Sequence, residues 1–396
     1  MKLNFKTSFL LKIQLCLSGF AVIYFFFYFS SLKTDLEGIN KNRSVYKRFF
    51  DTSEQKKEGF KSLVKFSFPE RLKNIPFGES SHLVLGTKTI TIRNRPAAYN
   101  PSLIKYGSGY LMFFRYDVKE KDSLFSYIGC TELDSTFIQT DKEFTTIDTQ
   151  NNHSDDPKAF SVGDHTYLTY NVIDFNGLPP LGYSSAINIA EIDLKKRKLQ
   201  FTTDLELNFS LLEKNWAPFE YVDNQKGSRL YFQYRLNPHK ILELPDPKVN
   251  HIIQPIFPKS ATFQTIHWEN EPFGWGELRG GTPAINIGDQ YLAFFHTSFT
   301  DKNGIAWYNM GAYTFEASPP FRITAISPHP ILFNGIYESN FLNTASTHKL
   351  VIFPSGFILE NKEGQDLIQL FCGENDSAIK MITLDKAVLL KSLKKI

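Results

Sequence analysis

An excess of charge of either sign is missing from this sequence. Its 44 Lys and Arg against 41 Asp and Glu leave a formal net charge of +3 over 396 residues. That balance implies no polyanionic partner, nucleic acid included. Cysteine is scarce as well, at three residues. Cys16 falls within an apolar run, which leaves Cys130 and Cys372 as one disulfide or as two buried thiols. No His/Cys spacing of a zinc site occurs, nor a Gly-rich phosphate loop, nor a Gly-x-Ser-x-Gly elbow. The sequence therefore calls for no metal and no cofactor. Past about residue 80 no long amphipathic helix is legible. The exception is a short C-terminal turn at Asp385–Leu393, with Leu389 and Leu390 on one face.

Phenylalanine is plentiful, at 37, and aromatics make up 15% of the chain. Such residues suit half-buried pleated surfaces. Five apolar-aromatic strands are predicted, at Tyr110–Tyr116, Tyr167–Val172, Leu230–Arg235, Tyr291–Thr297 and Leu367–Cys372. Each follows a polar motif: Asn100-Pro101-Ser102, Asp155-Asp156-Pro157-Lys158, Glu213-Lys214-Asn215-Trp216, Arg279-Gly280-Gly281-Thr282-Pro283 or Phe353-Pro354-Ser355-Gly356. A unit recurring in this way predicts an all-β fold, a five-bladed β-propeller over 76–396. The motifs then face one axial funnel. A β-sandwich is the structural alternative, and it gives no reason for the regular motif placement.

Ahead of that domain, Ile13–Ser31 is uncharged and long enough for a transmembrane signal anchor. Lys2, Lys6 and Lys12 in the 1–12 tail keep the N-terminus cytoplasmic by the positive-inside rule. A cleaved signal peptide competes with this, but Tyr28-Phe29-Ser30-Ser31 lacks a clean cleavage pattern. Residues 32–75, polar and Lys-rich, read as a stalk. The expectation is a single-pass type II membrane protein with its catalytic domain non-cytoplasmic, in the Golgi or another secretory lumen in a eukaryote. Sequons at Asn42, Asn152, Asn208 and Asn375 are candidate glycan acceptors there.

The adjacent carboxylates of Asp155 and Asp156 repel one another, so one is expected to have a raised pKa. Pro157 is expected to hold Asp156 extended. A carboxylate fixed in this way serves as general acid or base. Arg115, Lys158, Lys214, Arg235, His239, Arg279 and His296 lie beside the motifs, several after strongly apolar strands. Cations converging on one axis make an anion site for phosphate or a nucleotide diphosphate. Trp216, Trp268, Trp275 and Tyr308 offer faces for sugar rings or, equally, inter-blade packing.

With these motifs in place, the chain from about residue 80 resembles the propeller mannoside phosphorylases and hydrolases of glycoside hydrolase family 130, and the related β-1,2-mannosyltransferases. The ordered set Asn100-Pro101-Ser102, Asp155-Asp156-Pro157-Lys158, Lys214–Phe219, Tyr291–His296 and Phe353–Gly356 carries the likeness. The resemblance implies an inverting reaction with Asp156 as general acid, or as base in the reverse direction. It implies phosphate or donor contacts from Lys158, Lys214, Arg235, Arg279 and His296. It places Asn100, Arg115, Asp155 and Asp376 against the sugar. The chain departs from the family where Lys158 replaces an Arg, and where Ser126-Tyr127-Ile128-Gly129 stands in place of a Ser-Arg contact. A lone Lys does not reproduce a bidentate clamp. With the anchor, this favours a glycan-building transferase using a sugar nucleotide or sugar phosphate over a free-phosphate phosphorylase. Hydrolysis, with Glu213, Glu277 or Glu338 as a second carboxylate, and non-catalytic glycan binding are the alternatives.

Overall fold

The computed structural model describes residues 68–121, 123–175, 183–205, 213–223, 225, 227–244, 254–256, 274–339 and 349–396. The expected membrane span at 13–31, most of the stalk, Trp268, and the sequons at Asn42 and Asn208 lie outside them. No helix among the described residues is long and apolar enough to cross a membrane.

The described chain is all-β and propeller-like, with five sheets, four of four strands and one of seven. The first sheet runs in chain order through Tyr99–Tyr106, Gly109–Glu120, Ser123–Leu133 and Thr145–Ile147. The second follows as Ser154–Val162, His165–Asp174, Ser184–Asp193 and Lys198–Leu205, and the third as Ala217–Asp223, Gly227–Leu236, His239–Leu244 and Gln254–Ile256. The fourth centres on Gln290–Thr300 and Ala306–Glu316. The fifth comprises Ile352–Lys362, Gln365–Glu374 and Ala378–Asp385, and its outer strand is Val84–Ile90 from the other end of the chain. Among the described residues helix is confined to short pieces. The longest, Lys386–Ser392, buries Leu389 and is capped by the Asp385 carboxylate, which accepts from Val388 N at 2.8 Å.

All five predicted strands form, each as the second strand of its sheet. The motifs do not merely precede sheets. Asn100-Pro101-Ser102, Asp155–Lys158 and Phe353–Gly356 lie within first strands, where the sheets meet. Second strands are covered on both faces, so they are buried along both faces and mostly apolar rather than strictly alternating. Side chains still alternate in direction. Leu111 and Phe113 join Leu168 and Tyr170 of the second sheet, whereas Met112 and Phe114 join Phe371 and Met381 of the fifth. Each such Phe contributes about 1.5–3 kcal/mol on burial. One packing device is repeated. Phe114 lies over its cross-strand neighbour Gly129, and Phe295 over Gly311, leaving no room for a Cβ at either glycine.

Cys130 and Cys372 are free and buried; Cys130 packs between the first two sheets, and Cys372 Sγ lies 3.9 Å from Met310 Sδ. The sequon at Asn375 is closed to glycosylation. Its side chain is fully buried, donating to Tyr337 O at 2.8 Å and accepting from Val351 N at 3.0 Å.

Candidate active site

Three inner strands break register at their motifs, between Tyr99 and Ser102, Asp155 and Lys158, and Pro354 and Gly356. At the first two breaks a residue before proline turns left-handed: Asn100 at φ 47° and Asp156 at φ 52°. Asn215, at φ 64°, precedes the first strand of the third sheet. Asn and Asp tolerate this conformation better than other side-chain-bearing residues. The expectation that Pro157 would hold Asp156 extended is therefore overturned. The bulge leaves Asp156 unpaired in the ladder and re-aims its side chain.

That side chain meets the neighbouring sheet. Asn100 Nδ2 donates to Asp156 Oδ1 at 2.7 Å, and Asn171 Nδ2 reaches Oδ2 at 3.5 Å. Arg115 Nη1 lies 2.9 Å from Asp155 Oδ2 and 3.7 Å from Asp156 Oδ1. The same guanidinium contacts Asp117 Oδ1 through Nε at 3.2 Å and donates from Nη2 to Ser126 Oγ at 2.9 Å. Ser126 in turn donates to Asp117 Oδ1 at 2.8 Å, and Tyr99 OH to Asp117 Oδ2 at 2.8 Å, while Arg115 lies over the Tyr99 ring. Asp117, Tyr99, Ser126 and Asn171 were missed as site residues. The one available signal was spacing: Asp117, two residues past Arg115 on a strand, shares its face.

The environment separates the two carboxyls. Burial pushes Asp155 up to about 6 against the pull of Arg115, and its Oδ1 has no hydrogen-bond partner. For Asp156, burial is outweighed by Arg115, Lys158, Lys214 and the Asn100 amide, which together hold it below the usual carboxylate range. Asp376, at φ 48°, faces the same cluster. Burial raises its pKa, opposed by Lys349 and Arg115 and reinforced by Asp156.

The cations differ among themselves. Lys158 is buried over the Phe353 ring, and burial brings it down to about 8. His296 is buried and neutral, pushed down to about 3 by burial and then by Arg279 and Lys158; its Nδ1 is 3.1 Å from Gly280 O, and its ring stacks on Tyr308. Lys214 is exposed, yet its charge reaches both Asp155 and Asp156. Arg279 is exposed and bonded to Glu277 at 2.9 Å. Arg235 is exposed over Tyr234. His239 is not part of the cluster. It packs between sheets against Tyr313 and Phe315, where burial lowers it to about 4. Trp216 is buried and donates to Glu213 Oε2 at 3.0 Å, and Tyr234 OH donates to Oε1 at 3.3 Å. Glu213 is thereby occupied in structure rather than available as a second catalytic base. Trp275 is buried too.

A propeller-like frame whose first two sheets bring an acid pair, two amides, Arg115 and Lys158 to one place has the equipment of a glycan-acting enzyme. The chain belongs to glycoside hydrolase family 130: the family profile, described as beta-1,4-mannooligosaccharide phosphorylase, matches residues 68–395. No curated protein matches. Among solved structures, a mannose phosphorylase from Leishmania mexicana in complex with phosphate ion is 15% identical at TM-score 0.51, covering 81% of this chain and 93% of that one. A beta-1,2-mannobiose phosphorylase from Listeria innocua, in complex with beta-1,2-mannobiose, is 14% identical at TM-score 0.51, covering 80% and 98%. At these identities the likeness concerns the fold.

Proposed function

We propose that this protein is a membrane-anchored enzyme that transfers mannose, with inversion, from a phosphate-bearing donor to a glycan hydroxyl, with Asp156 as general base. The observation that carries the proposal is the state of Asp156. Arg115, Lys158 and Lys214 hold it ionised, and the Asn100 amide fixes it. An ionised carboxylate accepts a proton, as synthesis requires; phosphorolysis, the reverse reaction, begins with that carboxyl protonated. In the forward direction the acceptor O–H proton passes to Asp156. The acceptor oxygen bonds the anomeric carbon as the bond to the phosphate oxygen breaks. Lys158, Lys214, Arg235 and Arg279 supply positive charge for the leaving phosphate, as in other phosphoryl-binding sites. His296, neutral and buried, contributes a ring rather than a charge. Asn100, Arg115, Asp155 and Asp376 hold the sugar in this reading, which their shared charge cluster around Asp156 supports.

The five sheets correspond to five blades, and Ile13–Ser31 is the anchor; resistance of the full-length protein to alkaline extraction from membranes tests the latter. For the activity, full-length protein in detergent is given mannose 1-phosphate or a mannosyl nucleotide with mannooligosaccharide acceptors. Elongated product is expected. Its persistence undiminished in Asp156→Asn removes Asp156 from the mechanism, and release of free mannose in place of elongation identifies a hydrolase.

A further inference from the structure

Among the described residues two aromatic side chains are exposed, Phe175 at 58% and Tyr183 at 37%, and they are neighbours, with ring centroids 6.5 Å apart. Phe175 also meets the His153 ring edge-on at 4.6 Å, and His153 lies against Phe125 at 5.4 Å. Burial and the charge of Arg115 lower the pKa of His153, so this ring stays neutral and apolar in character.

The cluster is continuous with the acid pair. Ser126, next to Phe125, donates its backbone N–H to Asn152 O at 2.9 Å, while its hydroxyl accepts from Arg115 at 2.9 Å. His153 is two residues from Asp155 and accepts at its backbone oxygen from Ile173 N at 3.0 Å. Asn171, which reaches Asp156, stands four residues before Phe175, and the three intervening residues are all strand. At about 3.3 Å per residue, Phe175 lies roughly 13 Å beyond Asn171, a span for a second or third sugar ring. Pyranose rings present C–H faces that complement the negative face of an aromatic ring while their hydroxyl edges stay in water.

We propose that Phe175 and Tyr183, backed by His153 and Phe125, form a stacking shelf for a sugar ring of an oligosaccharide acceptor beyond the one that reacts. The shelf makes the enzyme prefer a glycan chain to a free monosaccharide. This deepens the transfer function proposed above and rests on it for its kinetic test. In full-length protein, Phe175→Ala and Tyr183→Ala are assayed with mannose and with mannotriose as acceptors. The KM for mannotriose is expected to rise about tenfold in each variant, with kcat, the mannose kinetics and the melting temperature unchanged. Equal changes for both acceptors, or none, overturn the shelf. A second readout separates its failure from that of the transfer function: mannotriose binding followed by saturation-transfer NMR without donor. Binding by the unsubstituted protein that weakens about tenfold in both variants supports the shelf even where no turnover is seen. Absent or unweakened binding overturns it.

Discussion

On the side of the centre built by the first two sheets, Arg115 touches Asp155, Asp117 and Ser126 within 3.2 Å, and its side chain is only 18% exposed. On the side built by the third and fourth sheets, Lys214 and Arg279 are exposed, and the partner of Arg279 is Glu277, itself exposed. The same charges have different strengths in the two settings. Buried pairs interact in a low dielectric and are set before substrate arrives. Solvated cations are screened and gain strength when an anion and its sugar displace water. The acid-pair side is therefore pre-organised, whereas the transfer function proposed above has the cationic side completed by its ligand.

That contrast sets the order of the experiments. Asp156→Asn retains shape and removes the proton acceptor; transfer is expected to fall about 10²–10⁴-fold, with unfolding in urea nearly unchanged. Arg115→Met strands Asp155 and Asp117 without their cation. A loss of about 3–5 kcal/mol is expected in urea unfolding, together with loss of activity. A Cβ at Gly373 would overlap Asn100 Oδ1 and its backbone N. Gly373→Ala is thus expected to push Asn100 off Asp156, lowering kcat about tenfold and stability by about 1–3 kcal/mol.

A pH series addresses the pair itself. Asp155 has a folded pKa of about 6, above the unfolded value of about 3.9. The folded chain therefore holds the extra proton between those values, and the Asp155 contribution to stability falls as pH rises through that window. Asp156 acts in the opposite sense: its lowered folded pKa contributes stability above the ordinary carboxylate range that is lost on acidification. In Asp155→Asn the decline toward neutral pH should become shallower, leaving the part due to the other raised carboxyls, Asp376, Glu213 and Glu374, and the acid-side loss should remain. An unchanged profile would show that the two carboxyls do not divide the proton in this way. The smallest effect is expected on the solvated side, where Arg279→Ala should alter stability by no more than about 0.5 kcal/mol while raising the KM for the phosphate-bearing donor.

Much of the frame was legible in the sequence because apolar strands and polar motifs recur in order. Asp156 stood out as half of an acid pair. What stayed hidden depends on register and on backbone handedness. Pro157 suggested an extended Asp156, but the bulge turned it left-handed at φ 52°. Asp117, Tyr99 and Ser126 come to Arg115 through strand pairing, which composition does not encode. His239 and Arg279 looked equivalent as cations beside motifs. Only the packing separates them, one wedged between sheets and the other paired at the surface.

The fifth sheet takes its outer strand, Val84–Ile90, from the beginning of the described chain and its neighbour, Ala378–Asp385, from the end. During synthesis the early strand must wait for nearly the whole polypeptide to emerge before its neighbour exists. Asp376, two residues ahead of that late strand, reaches the charged centre at the same stage. A prematurely terminated translation product therefore lacks both a finished edge and a finished charged centre, and offers an unpaired strand of the kind that protein quality control recognises.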